Sequence, residues 1–205
     1  MGLSTAILRQ HLDTVAAADP VVAAAIERVG YPEERLRETG YRTLLRTIVG
    51  QQVSVAAAAS VWRKLEAELG EEMAAADLLA RDHDTLRACG LSRQKQGYAR
   101  SLCELVQGGE LDLENLPADD EAAIAELVRI KGIGRWSAEI YLLFAEGRSD
   151  IWPAGDLAVQ AACGKLLDLP QRPGEKETRA LAEKWRPHRG AMAIFAWHAY
   201  TDPAL

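Results

Sequence analysis

The segment VRIKGIGRWSAEIYLLF, Val128 to Phe144, places two glycines one residue apart between two apolar, helix-like runs. Glycine at positions 132 and 134 removes Cβ, permits positive φ and lets an anion approach the backbone amides. Those amides lead into a helix N-terminus, where unsatisfied N–H groups and the helix dipole favour negative charge. The spacing therefore predicts a phosphate-binding turn, although a plain glycine turn between two helices also satisfies so short a motif.

Charge along the chain supports a local rather than a general anion-binding surface. The net charge of −6 argues against nucleic-acid affinity spread over the whole molecule. Basic residues nevertheless cluster in LSRQKQGYAR, VRIKGIGR and EKWRPHR. A solvated helix surface is the usual explanation of such runs. Because each cluster lies beside glycine or proline, we favour a shared anion-binding face.

Nearly every segment has the composition of a helix, with Ala, Leu, Glu and Arg dominant and apolar residues recurring at intervals of three and four. No alternating run of strand type persists. The predicted helices cover 4–17, 20–29, 40–49, 54–69, 75–80, 83–89, 92–107, 120–130, 135–146, 156–168, 174–185 and 188–200. The sequence therefore predicts a compact all-α protein with two helical lobes and a cleft between them.

Cysteine usage and hydropathy exclude several classes of protein. The three cysteines, Cys89, Cys103 and Cys163, are widely spaced and form no CxxC pair. This argues against a disulfide framework and against a cysteine-based zinc or iron–sulfur site, so we expect buried thiols in a reducing cytosol. No signal-peptide pattern or membrane-spanning stretch is evident. We expect a cytoplasmic protein with no membrane partner.

Four ordered stretches resemble the helix-hairpin-helix (HhH-GPD) DNA glycosylases. LVRIKGIGRWSAEIYLLF followed by WPAGDLAVQ resembles the hairpin, the Gly/Pro-rich loop and the aspartate of that family, with Asp156 at the signature spacing from Gly134. IVGQQVSVAAAASVWRKL resembles the segment that enters DNA at the lesion, and GLSRQKQGYARSLCELV the helix that follows. KWRPHRGAMAIFAWHAY resembles the C-terminal segment of the DNA-3-methyladenine glycosylase II (AlkA-like) branch. The resemblance covers roughly residues 40–200.

The resemblance implies the HhH-GPD glycosylase fold, in which two helical lobes flank an active-site cleft, as a single module over residues 1–205. The hairpin would occupy 120–146 and a second lobe about 40–115, with the N-terminal and C-terminal helices packed together. Longer relatives carry an N-terminal β-rich domain, whereas this sequence begins with helices. It resembles the compact form without that domain.

Asp156 has both a structural and a catalytic interpretation. After Pro-Ala-Gly and before a helix, it is an ordinary N-cap. The resemblance implies that it is also the catalytic carboxylate. Removal of a base from deoxyribose passes through a sugar with oxocarbenium character, which a carboxylate stabilises while it orients or deprotonates the attacking water. A cap position fixes the carboxylate, so the two roles are compatible.

Trp136 bears on the type of reaction. Family members that also nick the strand have lysine immediately after the GxGx of the hairpin, and its amine forms a Schiff base with the sugar. Trp136 stands at that position here, and an indole cannot form an imine. The resemblance therefore implies hydrolysis without AP-lyase activity, which leaves an abasic site.

The base pocket implied by the resemblance is apolar and aromatic. A π face attracts a cationic alkylated purine such as 3-methyladenine or 7-methylguanine, by about 1 kcal/mol. Such a base leaves without needing protonation. Trp152, in contrast, is expected in the core. The implied pocket residues are Trp136, Trp197, Ile140 and Tyr141.

The remaining implied residues contact DNA. Gln52 corresponds to the residue that fills the gap left by a flipped base, although it could instead satisfy a helix start. Main-chain carbonyls of Val128, Ile130 and Ile133 correspond to those that hold a structural Na⁺ or K⁺, and no other cofactor is expected. The implied phosphate contacts are the amides of Gly132 and Gly134 and the side chains of Arg135, Lys131, Lys95 and Arg93.

The function implied is that of a monomeric base excision repair enzyme that removes alkylated purines from damaged double-stranded DNA, associated with the nucleoid. One alternative is a catalytically silent helix-hairpin-helix DNA-binding module, which Asp156 disfavours. Another is a glycosylase for a neutral damaged base such as uracil, hypoxanthine or 8-oxoguanine. The hairpin without lysine disfavours the 8-oxoguanine lyases. The sequence does not rank 3-methyladenine, 7-methylguanine, ethenoadenine and 1-methyladenine as substrates.

Overall fold

A computed structural model describes residues 2–202, and every regular element within them is helical, which confirms the all-α prediction. The α-helices are α1 (Thr5–Ala18), α2 (Pro20–Val29), α3 (Tyr41–Gly50), α4 (Val55–Leu69), α5 (Ala75–Ala80), α6 (His83–Ala88), α7 (Arg93–Gln107), α8 (Asp120–Leu127), α9 (Arg135–Tyr141), α10 (Leu157–Leu166), α11 (Glu175–Leu181) and α12 (Arg189–Thr201). A π-helical turn, Leu142–Glu146, continues α9, and a 3-10 turn, Ala182–Trp185, follows α11. None of the described helices combines the length and hydrophobicity that a bilayer crossing requires.

The chain divides into two compact units. The continuous unit is Glu38–Tyr141. The discontinuous unit comprises the chain up to Arg37 and again from Leu142 onward. The hairpin of α8 and α9 belongs to the continuous unit, and α10 and α12 belong to the discontinuous one.

Helix starts follow from capping residues. Six of the described helices begin after an Asp or Ser whose side chain accepts a backbone amide of the first turn, which satisfies a donor that the helix itself leaves unpaired. A proline at the first position of α2 adds a preset φ. The capping residues are Asp19, Ser54, Asp82, Ser92, Asp119 and Asp156.

Two predicted helices differ from the observed ones in their C-terminal part. The helix expected over 120–130 ends at Leu127, because the amides of Arg129 and Ile130 bond back by only three residues, to Glu126 and Leu127 (3.3 and 3.2 Å). The chain has thus already begun the turn toward the glycines. The helix expected over 135–146 is α-helical to Tyr141 and π-helical afterwards.

The core of the continuous unit supports the hairpin. Helix α3 packs against α4, α7 and α9, and it buries Leu44, Leu45, Ile48 and Val49. Each buried side chain of this size contributes about 1.5–3 kcal/mol relative to exposure. Helices α3 and α7 are therefore fixed supports on which the turn between α8 and α9 can be placed.

The core of the discontinuous unit is organised around α12, which packs against α10 and α1. Trp152 is buried here, and its indole N–H donates to the carbonyl of Thr178 (3.1 Å), which confirms its expected place in the core. Cys163 is also buried, and burial raises the pKa of its thiol to about 12. Because α10 and α12 pack together, residues at the start of α10 can meet side chains from α12.

Candidate active site

Asp156 is held by three donors on one oxygen. Its Oδ1 accepts the amides of Ala158 and Val159 (2.9 and 3.0 Å), which is the N-cap of α10. The indole Nε1 of Trp197, on α12, donates to the same oxygen at 3.1 Å. The predicted cap is therefore confirmed. Three donors from two helices fix the orientation of a partly buried carboxylate, as a charge that acts on a reacting centre requires.

The loop before α10 is also fixed. The amide of Asp156 donates to the carbonyl of Pro153 (2.9 Å), and the amide of Ala154 to that of Trp152 (2.8 Å). The side-chain amide of Gln160, which is buried, donates to the carbonyl of Ala154 at 2.8 Å. The Trp-Pro-Ala-Gly segment is therefore a rigid turn that presents Asp156 at the helix start.

The ring of Trp197 also lies against a second aromatic ring. The rings of Trp197 and Phe144 lie 5.5 Å apart with a tilt of 32°, within the range of favourable aromatic contacts. Phe144 comes from the π-helical turn, and sequence reasoning missed it. No local pattern distinguishes a π turn from the end of an ordinary amphipathic helix, so only tertiary structure could reveal it.

The hairpin glycines have different structural roles. Gly132 has φ +83°, and a Cβ placed there would lie 2.2 Å from Cδ2 of Tyr98, so only glycine fits against that ring. The side-chain amide of Gln51 donates to the carbonyl of Gly132 at 2.8 Å. At Gly134 a Cβ would meet no atom within 4 Å. Packing on α7 thus requires glycine at position 132, whereas Gly134 leaves open space. Phosphate binding by the amides of both glycines stays a prediction.

Some backbone amides of the hairpin turn have a hydrogen-bond acceptor and others have none. The amide of Ile133, whose side chain is buried, donates to the carbonyl of Ile130 (3.0 Å), and the amide of Lys131 donates to Oγ of Ser101 (3.2 Å). Among the residues that the structure describes, no acceptor is found for the amides of Gly132 and Gly134. Two such donors, separated by one residue at an exposed turn, are suited to a phosphate.

The amino-acid pattern and the structure both have known counterparts. The HhH-GPD family model, described as HhH-GPD superfamily base excision DNA repair protein, matches residues 45–188. The chain belongs to this superfamily. The match confirms the family resemblance that the four sequence stretches indicated.

Several relatives of this HhH-GPD protein are named for one substrate. The chain is 30% identical over 174 residues to DNA-3-methyladenine glycosylase 1 of Schizosaccharomyces pombe, covering 80% of this chain and 75% of the relative. Its structure matches a DNA-3-methyladenine glycosidase from Bacillus halodurans with a TM-score of 0.86 and 29% identity, over 93% and 89% of the two chains. It also matches a Schizosaccharomyces pombe 3-methyladenine DNA glycosylase in complex with abasic DNA, with a TM-score of 0.80 and 26% identity, over 96% and 98%.

The basic residues expected on phosphate in this HhH-GPD protein differ in availability. Arg135 donates to Glu139 (2.9 Å) and Glu121 (2.8 Å), and these carboxylates, Glu121 foremost, raise the pKa of its guanidinium. Lys95 donates to the carbonyl of Val49 at the end of α3 (2.7 Å), and burial lowers the pKa of its amine. Both side chains hydrogen-bond within the protein, and their contacts with phosphate stay predictions. Lys131 and Arg93, in contrast, are exposed.

The pocket residues expected on α9 differ in their exposure to solvent. Trp136 is 47% exposed on the first turn, whereas Ile140 and Tyr141 are buried. The hydroxyl of Tyr141 accepts the amide of Gly40 at 2.7 Å, so it fixes the start of α3. Trp136 is therefore the α9 side chain best exposed to a nucleotide, and the roles of all three stay predictions.

Gln52 has a left-handed backbone conformation. Its φ is +55°, which is uncommon for a residue other than glycine, and its side chain is exposed. Such backbone strain is concentrated at functional sites, where the surrounding structure maintains it. Its neighbour Gln51 anchors the same loop to the hairpin. These observations fit the predicted DNA plug, which stays a prediction.

Proposed function

We propose that this protein is a monofunctional DNA glycosylase that flips alkylated purines, including 3-methyladenine and 7-methylguanine, out of duplex DNA and hydrolyses the N-glycosidic bond. The observation that carries the proposal is the carboxylate of Asp156, fixed by the N-cap of α10 and by the indole of Trp197. The family of this chain and the substrate in its relatives' names support it.

The proposed reaction uses the carboxylate as an electrostatic group. As the bond between C1′ and the base breaks, its electron pair goes to the base and the sugar gains positive charge. The negative charge of Asp156 stabilises that cation, and water attacks C1′ while losing a proton to the carboxylate or to solvent. An alkylated purine that carries positive charge becomes neutral on leaving, so no acid is needed on the base.

The indole ring of Trp197 suits such a base. A cation over the face of tryptophan gains about 0.5–2 kcal/mol, more when water is excluded. Trp197 is half-buried and lies beside Asp156. A neutral lesion would lack this attraction. A panel of duplexes with hypoxanthine or uracil, compared with methylated purines under one enzyme excess, tests the preference, and faster release of the neutral bases would contradict it.

Absence of lyase activity follows in this proposal from Trp136 at the position of the Schiff-base lysine. Reduction with borohydride during the reaction should trap no covalent protein–DNA adduct, and product strands should break only after alkali. A bifunctional family member acting on its own lesion is the positive control. A trapped adduct with this protein would overturn the monofunctional assignment.

Trp197→Phe tests the hydrogen bond to Asp156. The substitution keeps an aromatic ring but removes the indole N–H, and a hydrogen bond to a charged group is worth about 1.5–3 kcal/mol. We expect single-turnover release of 3-methyladenine to slow about tenfold or more, with little change in affinity for abasic DNA. An unchanged rate would show that the indole N–H does not help to position the carboxylate.

A monovalent cation in the hairpin is part of the proposal. The carbonyls of Val128, Ile130 and Ile133 would hold it, and it would bridge the turn to a phosphate. The carbonyl of Ile130 accepts the amide of Ile133 and has a second lone pair for a cation. Exchange of K⁺ for tetramethylammonium at constant ionic strength should lower the affinity for abasic DNA and leave the melting temperature unchanged. Equal affinity in both salts would contradict the site.

We further propose that the enzyme acts as a monomer on damaged double-stranded DNA in the cytoplasm, associated with the nucleoid. The solved relative in complex with abasic DNA supports DNA as the partner. Light scattering of the protein with a short abasic duplex should give one protein per duplex. A complex with two proteins per lesion would contradict the monomer.

A further inference from the structure

The connection between α2 and α3 is attached to the discontinuous unit over residues 30–37. Near its middle, the carboxylate of Glu34 accepts the amide and the hydroxyl of Thr5 (2.6 and 2.9 Å), at the start of α1. Tyr31 hydrogen-bonds Asp13 of α1. This connection has no regular secondary structure, but these side-chain hydrogen bonds fix its path against α1 before it reaches Arg37.

Arg37 makes two contacts with Phe144. Its amide donates to the carbonyl of Phe144 at 3.0 Å, and its guanidinium carbon lies 5.8 Å from the centre of the Phe144 ring. The π-helical turn makes the first contact possible. The amide of Arg148, the residue that an α-helix would pair with Phe144, donates to the carbonyl of Leu142 instead (3.1 Å), and the Phe144 carbonyl receives Arg37.

The contacts continue from Phe144 to the carboxylate. The ring of Phe144 lies 5.5 Å from that of Trp197, whose indole N–H donates to Oδ1 of Asp156 at 3.1 Å. We propose that Phe144 and Arg37 are positioning residues for Asp156, acting through the indole of Trp197. The inference rests on the proposed function, because it concerns the same carboxylate.

These residues can affect Asp156 because the hydrogen bond from Trp197 depends on direction. The indole N–H lies in the plane of its ring, so the plane of Trp197 sets the angle of the hydrogen bond to Asp156. The neighbouring ring of Phe144 restricts that plane, and Arg37 fixes Phe144 at both its backbone and its ring. A loosened donor would leave the carboxylate free to turn away from C1′, and catalytic groups lose effect when misplaced by about 1 Å.

The test measures the electrostatic effect of Asp156 separately from overall DNA affinity. It compares two duplexes in which the lesion sugar is replaced by a protonated pyrrolidine, which is cationic, or by a tetrahydrofuran, which is neutral. The ratio of the two affinities reports how well the negative charge of Asp156 is positioned against the cation. We expect Phe144→Leu to lower this ratio about tenfold and Arg37→Gln about threefold, with affinity for the neutral duplex unchanged.

Arg35→Gln is the matched control. Arg35 is an exposed arginine of the same connection and has no ion pair among the residues described, so its substitution should leave the ratio unchanged.

A double-mutant cycle tests whether the effect passes through the indole. In a Trp197→Phe background, Phe144→Leu and Arg37→Gln should add little to the loss, because the donor that they orient is absent. Losses of full size in that background would overturn the proposal. A fall of affinity for both duplexes in Arg37→Gln, with a smaller salt dependence, would also overturn it and assign Arg37 to a phosphate.

Two further outcomes separate this inference from the proposed function. Asp156→Asn should abolish the preference for the cationic duplex. If it does not, the proposed function is wrong. If it does, but Arg37→Gln and Phe144→Leu keep the wild-type ratio, only the positioning role is wrong. Should Phe144→Leu fail to fold, Arg37→Gln decides alone, because an exposed guanidinium can be removed without opening the core.

Discussion

Asp156→Asn is expected to lower the rate of base release at least about a hundredfold, the usual effect of removing one group that stabilises transition-state charge. Asparagine keeps an oxygen that accepts the amides of Ala158 and Val159 and the indole of Trp197, so the cap and its geometry remain. Affinity for abasic duplex and the melting temperature should stay close to those of the wild type.

The rate of base release is measured in single turnovers with enzyme in excess. Affinity is measured with a tetrahydrofuran duplex, and the melting temperature by thermal unfolding. Asp82→Asn is the matched control, because Asp82 caps α6 in the same manner, with its Oδ1 accepting the amide of Thr85 at 2.8 Å. It should leave the rate unchanged. Parallel losses of rate, binding and melting temperature in Asp156→Asn would show that Asp156 has only a structural role.

Gly132→Ala is expected to have the largest effect on stability. Its Cβ would lie 2.2 Å from the ring of Tyr98, and its φ of +83° disfavours any residue with a Cβ. The left-handed backbone costs roughly 1–2 kcal/mol and the overpacking roughly 1–3 kcal/mol. The free energy of unfolding should therefore fall by at least about 2 kcal/mol in urea titration.

Gly134→Ala is the matched control in the same turn. Its Cβ would meet no atom within 4 Å, so its stability should stay within about 1 kcal/mol of the wild type. Its DNA affinity should still fall, because the methyl group occupies the space through which a phosphate would reach the amides. Equal destabilisation by the two substitutions would contradict the described packing of the hairpin on α7.

Local features of the fold were predictable because their causes are local. Asp19, Ser54, Ser92 and Asp119 each cap a helix within three residues of themselves, and the predicted starts lie at or next to these positions. Asp156 belongs to the same class, so its cap was predictable from its neighbours alone. Its relation to Trp197 requires α10 to pack on α12, which no local pattern specifies.

The partners of several basic residues depend on distant parts of the chain. Arg135 pairs across the hairpin with Glu121, which lies 14 residues earlier. Lys95 meets the end of a helix 46 residues away. In both cases the sequence supplies a cation, and only the tertiary fold supplies its acceptor. Gly132 likewise shows its packing role only when α7 brings Tyr98 against the turn.

The most direct test of the central claim is release of free base from duplex DNA treated with a methylating agent. Products would be separated by chromatography, and the DNA would be checked for strand breaks with and without alkali. We predict 3-methyladenine and 7-methylguanine as free bases, with breaks only after alkali. No released base, from folded protein that binds abasic duplex tightly, would contradict the assignment and favour a DNA-binding module without catalytic activity.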